Sequence, residues 1–188
     1  MAVTVMFILM LWAFAFAHPI NAIPTRPATS IKKRCSNILQ NHSFESGLYP
    51  WLDIVFGPWA ERGVFTSAQG GHNSRQFYLI HSNATVSHGT VALSQSGLSI
   101  PAGTTVDCSA WIASNHPGGS DNTSVELFID EVSCGAPVSL STHPWIKVNG
   151  KATVSQDSHT FSIVVTSEVT GSDGSTTWVD DAFVGMGC

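Results

Sequence analysis

Charge is scarce in this 188-residue chain, and positive charge scarcer still: 8 lysines and arginines stand against 13 aspartates and glutamates. Arg26, Lys32, Lys33 and Arg34 all precede the first cysteine, whereas every acid follows it, so from Cys35 onward the balance is 4 − 13 = −9. A domain this acidic repels phosphate backbones and anionic lipid, which excludes nucleic acid and membrane surfaces as partners. Beyond the N-terminal region no stretch approaches the roughly 18 apolar residues that mark a spanning helix. The chain has no G-x-S-x-G, no H-E-x-x-H and no C-x-x-C spacing, so the common hydrolase and zinc signatures are missing. Helix signals are missing as well: no segment combines end caps with a 3.6-residue apolar period.

What is present begins with an apolar, uncharged run, Val5–Ala17. It is too short to span a bilayer and matches the hydrophobic region of a signal peptide. Ala15-Phe16-Ala17 and Ala22 offer two cleavage positions, so residues 1–22 are assigned to the signal. Residues 23–34 are rich in Pro, Ser and Thr, lack periodicity, and end in Lys32-Lys33-Arg34. Such a basic cluster suggests proteolytic processing, which places the mature N-terminus at Cys35 and the folded domain at residues 35–188. That cleavage would remove His18, the residue a copper-dependent polysaccharide monooxygenase would need at its N-terminus.

Four cysteines in an exported chain read as two disulfides. Cys35 and Cys188 bracket the mature chain, and domain termini often lie close together, so the favoured pairing is Cys35–Cys188 with Cys108–Cys134. N-x-S/T sequons at Asn41, Asn83 and Asn122 agree with a secreted glycoprotein.

Short β-branched runs separated by Gly, Pro, Asn and Ser predict strands at 37–40, 76–81, 90–94, 105–113, 124–132, 146–154, 160–166 and 177–184, hence a sandwich or barrel. Alternation is clearest along 105–113. Val106, Cys108, Ala110 and Ile112 fall on one face, and Asp107, Ser109, Trp111 and Ala113 on the other. The same rule places Val179, Asp181 and Phe183 together on one face of the last strand.

Three stretches carry a family resemblance. Ile38-Leu39-Gln40-Asn41-His42-Ser43-Phe44-Glu45-Ser46-Gly47 with Pro50-Trp51 resembles the opening of the jelly-roll carbohydrate-binding modules of cellulases and xylanases. Leu98–Val106 resembles their strand, P-x-G-T turn and next strand, and Trp178-Val179-Asp180-Asp181-Ala182-Phe183-Val184 their closing strand. The pattern also resembles secreted fungal proteins built around this module alone. The resemblance implies an all-β jelly-roll sandwich of galactose-binding-domain-like topology that holds sugar without cutting it. It also implies a structural calcium ion shared by Glu45 and Asp181, with backbone N–H groups on these acids as the alternative. Val106 stands where the family has an aromatic, so the ligand does not carry over.

Sugar binding needs flat aromatic faces beside polar groups. Trp111, Tyr78 and Trp59 are the candidate ligand-binding residues, Trp51 is read as core, and Trp178 as packing. Adjacent acid pairs, Asp130-Glu131 and Asp180-Asp181, point to opposite sides of a strand and so do not supply the paired carboxylates of a glycosidase. The expected protein is a secreted monomer that binds a neutral polysaccharide and is not an enzyme. The alternative is a secreted effector or cell-wall interaction protein that uses the jelly roll as a scaffold.

Overall fold

A computed structural model describes residues 35–188 apart from 58, 69, 83–87, 117–122 and 169–173. The sequons at Asn83 and Asn122 therefore lie outside the described residues.

Among the described residues, eleven strands build two antiparallel sheets. One sheet joins β1 (Leu52–Phe56), β4 (Gly89–Ser99), β10 (Ser158–Ser167) and β6 (Thr123–Ile129), with β7 (Val132–Ser133) and β8 (Val138–Leu140) both pairing β6. The other has the order β2 (Glu61–Thr66), β3 (Gln76–Ser82), β11 (Ser175–Met186), β5 (Thr105–Asn115) and β9 (His143–Thr153). The described residues contain no helix. The fold is a jelly-roll β-sandwich.

The core lies between the sheets. Val106, Cys108, Ala110 and Ile112 of β5 turn inward, as the alternation requires, and meet Val125, Leu127, Phe161, Ile163 and Val165 of the opposite sheet. An aromatic cluster fills one part of it. Phe44 packs 5.5 Å from Trp51 and 6.0 Å from Tyr78, and Trp51 packs 6.2 Å from Phe161. Trp51 is thus core, and its Nε1 donates to the carbonyl of Asn41 at 3.1 Å.

Both disulfides join the expected partners, with Cα–Cα separations of 5.4 Å for Cys35–Cys188 and 6.2 Å for Cys108–Cys134.

Three expectations need correcting. Residues 37–40 are not a strand but an irregular segment fastened to β11 by Ile38 N–H to Val184 O at 2.9 Å. β1, β2 and β8 lie outside the strands the sequence predicts, and the expected strand 124–132 stops at Ile129, where Asp130-Glu131 turn the chain into β7. Leu52, Ile54 and Phe56 of β1 face solvent while Asp53 and Val55 are half-buried, which inverts the usual reading of an apolar face. The last strand does not alternate evenly either. Opposite β5, Asp180 pairs Trp111 and the next pair is Phe183 with Ser109, so Asp181 and Ala182 together oppose one residue. This β-bulge turns Val179 and Val184 inward and sends Phe183 to the outer face. Asn37 and His42 satisfy the backbone freed there: Asn37 Nδ2 donates to Ala182 O, Val184 N donates to Asn37 Oδ1, and Ala182 N donates to His42 O.

Candidate functional site

The outer face of the five-stranded sheet carries most of the unusual chemistry. Cross-strand register places Trp111 of β5 between Asp180 of β11 and Lys147 of β9, and Ser109 between Phe183 and Asn149. Trp178 pairs with Ala113, and Trp145 lies two residues before Lys147 on the same face.

The connection between β2 and β3 crosses this face, and three carboxylates hold it. Glu45 Oε1 accepts the backbone N–H groups of Arg75 and Gln76 at 2.9 and 2.6 Å. Asp180 Oδ2 accepts His72 N–H at 2.7 Å and the Ser74 hydroxyl at 2.9 Å, while its Oδ1 accepts Asp181 N–H at 2.7 Å. Asp180 is completely buried. Burial pushes its carboxyl above the usual carboxylate range, against the opposing pull of those donors. Gly71 sits so close to this group that a Cβ there would collide with Asp180 Oδ2, Gln76 O and Ser74 Oγ.

Asp181 is directed elsewhere. It adopts a positive φ of 44° within the bulge, and its Oδ2 meets His72 Nδ1 at 2.8 Å and Asn73 Nδ2 at 3.1 Å. The His72 ring in turn stacks on Trp111, with centroids 3.6 Å apart and planes 15° from parallel, and meets the Trp145 ring edge-on at 6.0 Å.

Trp111 also borders an open groove of about 430 Å³ whose lining includes Ser109, Lys147, Asp181, Asn73 and His42. His72 does not line it, but Asn73 and Asp181, which hold the imidazole, do. A second depression of about 390 Å³ shares Ser109, Lys147 and Phe183 with the first and continues to Asp107 and Asn149. Together they make a trench along β5 lined by Trp111, Phe183 and a row of hydroxyl, amide and charged side chains.

Of the three candidate aromatics, only Trp111 belongs to this trench. Tyr78 is fully buried in the core, where its hydroxyl donates to Asp53 Oδ2 at 2.8 Å, so it offers no face to a ligand. Burial and the Asp53 carboxylate raise its pKa. Its strand carries apolar residues on both sides, and the inward parity belongs to Tyr78 and Ile80. Trp59 packs partly against the core, donates to Phe56 O at 3.2 Å, and lies so close to Gly89 of β4 that a Cβ there would meet its ring at 3.0 Å. It does not share the trench. Trp145 and Trp178 were not proposed as ligand residues, yet both stand on the outer face, where they line a smaller slot with Phe77 and Ala113.

The calcium expectation meets a specific arrangement. Glu45 Oε1 faces two backbone N–H groups, and Asp181 Oδ2 faces the Asn73 amide donor and His72 Nδ1. Among the described residues no group of three or more His, Cys, Asp and Glu gathers. Through these oxygens the two carboxylates form a hydrogen-bonded clasp on the 72–76 segment, whereas a calcium site needs six or more oxygens.

Asn41 is committed in the same way. Its Nδ2 donates to Gly47 O at 2.7 Å and Tyr49 O at 2.9 Å, and its Oδ1 accepts Ser46 N–H at 3.0 Å. A glycan on this amide would replace one of those N–H groups, so the sequon is used to build the turn.

A second polar cluster lies away from the trench. The buried His159 presents Nδ1 to Asp130 Oδ2 at 2.6 Å and Nε2 to the carbonyls of Gln156 and Ile100 at 2.8 and 3.3 Å. Both ring nitrogens thus face acceptors, the arrangement of an imidazolium. Burial works against that charge, but Asp130 and the two carbonyls outweigh it and hold the pKa above the ordinary histidine value.

No protein-family profile and no curated protein matches the chain by sequence. Solved structures do match by shape. A family 61 carbohydrate-binding module, solved with β-1,4-galactotriose, superposes with a TM-score of 0.52 at 21% identity, covering 79% of this chain and 97% of that one. A family 16 carbohydrate-binding module gives 0.52 at 11% identity, covering 79% and 99%. The tandem family 22 modules of a Paenibacillus barcinonensis protein give 0.52 at 16% identity, covering 84% and 46%. The chain has the jelly-roll fold of carbohydrate-binding modules.

Proposed function

We propose that this chain is a secreted, non-catalytic glycan-binding protein that seats a neutral polysaccharide in the trench along β5. The observation that carries the reading is Trp111. It lines the groove together with Phe183 and the polar Ser109, Asn73, Asp181, Lys147 and His42, and His72 stacks on its indole. A flat indole face stacks on the C–H groups of a sugar ring, and the neighbouring polar side chains bond hydroxyls. The fold adds support, since the family 61 module of the same shape was solved with a galactose trisaccharide.

Catalysis finds little support in the same residues. Asp180 is buried and engaged by three donors, and Asp181 is engaged by His72 and Asn73. Two carboxylates so tied are poorly placed to act as acid and nucleophile on one glycosidic bond. The net charge of −9 from Cys35 onward favours a neutral polymer over a polyanion. With stacking on one or two aromatics and few polar contacts, the dissociation constant should be on the order of 10⁻⁵ to 10⁻³ M. Retention of the secreted protein on insoluble cellulose, xylan, glucan or chitin, or on a glycan array, supports the reading. Failure on all of them rejects it.

One observation favours the scaffold alternative. Tyr49, Leu52, Ile54 and Phe56 form an exposed apolar stripe at the free edge of the six-stranded sheet, with 62–84% of each residue accessible. Such a stripe suits a protein partner. If glycan retention fails and a partner binds through Ile54 and Phe56, the jelly roll is a scaffold.

A further inference from the structure

On the far side of the His72–Trp111 pair lies the slot of about 210 Å³, lined by Trp145, Trp178, Phe77, Ala113, Gly70 and Ser67. Its construction follows from register. Trp178 on β11 pairs directly with Ala113 on β5, and Trp145 stands on β9, the next strand over. Three adjacent strands at about 4.8 Å spacing put the two tryptophans roughly 10 Å apart at their bases, with the smallest side chain of the row between them. A ring held at van der Waals distance from both indoles needs about 7–8 Å between their planes. Indoles standing face to face on those bases would leave room for one ring and not for two. The His72 and Trp145 rings meet edge to face at 6.0 Å, and the buried Phe77 also lines the slot.

The chemistry of the lining selects among rings. Among the described residues no charged side chain lines the slot; its polar side-chain groups are the Ser67 hydroxyl and the two indole N–H donors. A pyranose would bring hydroxyls around its whole rim and find few partners, leaving buried polar groups unmatched. An aromatic ring has none to satisfy and stacks on indole with a further gain beyond its buried area. The volume agrees, since an apolar cavity of about 150 Å³ already accepts benzene. The trench on the other side of Trp111, by contrast, is bordered by Asp181, Lys147 and His42. The two depressions share one sheet face, and of the two only the trench carries charged side chains.

We propose that the Trp145–Trp178 slot is a second binding site that takes one uncharged, planar aromatic ring, such as the phenolic or benzyl part of a larger ligand. It stands independently of the glycan trench.

The test uses ligand-observed NMR titration of the secreted protein with benzyl alcohol, and with cyclohexylmethanol as the non-planar control. Benzyl alcohol should bind saturably and more tightly than cyclohexylmethanol. Ala113→Leu, which fills the slot floor, should weaken benzyl alcohol at least about tenfold, and Trp178→Ala, checked for folding by circular dichroism, should do the same. Neither change should alter glycan retention. No binding of benzyl alcohol, equal binding of the two alcohols, or binding unaffected by both variants would overturn the site. Glycan retention is read separately: its loss with benzyl alcohol still sensitive to Ala113→Leu rejects the trench and keeps the slot, and the converse keeps the trench alone.

Discussion

The imidazole of His72 lies flat on the indole of Trp111 and is anchored by Asp181, 2.8 Å from its Nδ1. The residue that borders the groove is thereby fixed from behind by a loop that carboxylates hold down. Stacked aromatic pairs contribute about 0.5–1.5 kcal/mol beyond their buried area. His72→Ala should therefore lower stability by about 1 kcal/mol and weaken glycan binding severalfold, because the indole loses its backing. Chemical denaturation and calorimetric titration of the variant check both. Tighter binding in His72→Ala would mean that the ring competes with the ligand.

Asp180 is the buried fastening of the same loop. Replacement by Asn puts an amide donor against one of the N–H groups of His72 or Asp181, and should cost about 1–3 kcal/mol. A chelator should leave the wild-type melting temperature unchanged, since the carboxylates are satisfied by hydrogen-bond donors. A fall in melting temperature that tracks free Ca²⁺ would place a cation among Glu45, Asp180 and Asp181 instead.

His159 gives the fold a pH dependence of known sign. Its pKa is raised in the folded state. A group that binds its proton more tightly when folded stabilises fully below its unfolded pKa of about 6.5, and that contribution is lost as pH rises through the folded value. Thermal melts should therefore weaken on going from mildly acid pH upward across that range. Asp130→Asn should flatten the dependence, and an unchanged slope would rule out the His159–Asp130 pair as its source.

Asn41 should carry no glycan in the folded, secreted protein. Peptide mapping is expected to find it unmodified, and Asn41→Gln should cost about 1–3 kcal/mol through loss of three turn hydrogen bonds. A glycan found on Asn41 would contradict the turn described here.

Some of this was legible in the sequence and some was not, for reasons that can be named. β5 announced itself because its two faces differ in polarity, so alternation alone placed Trp111 outward and Val106–Ile112 inward. The disulfides followed from four cysteines and the closeness of chain ends. β3 has apolar residues on both faces, Phe77 and Leu79 against Tyr78 and Ile80, and periodicity could not say which face was core. The bulge at Asp181 depends on a positive φ in a residue that is neither Gly nor Asn, which no local pattern marks. Without it Asp181 would be grouped with the inward-facing Val179, and its part in the trench stays hidden. His72 was one of eight scattered histidines, and only the fold brings it onto Trp111.

The central claim is that Trp111 is the platform for a neutral glycan, and affinity electrophoresis in the polysaccharide that retains the wild type tests it most directly. Trp111→Ala should abolish retardation while its melting temperature falls by no more than a few degrees, and Trp59→Ala, if it folds, should bind like the wild type. Retardation by Trp111→Ala equal to that of the wild type would contradict the account, whatever else the protein binds.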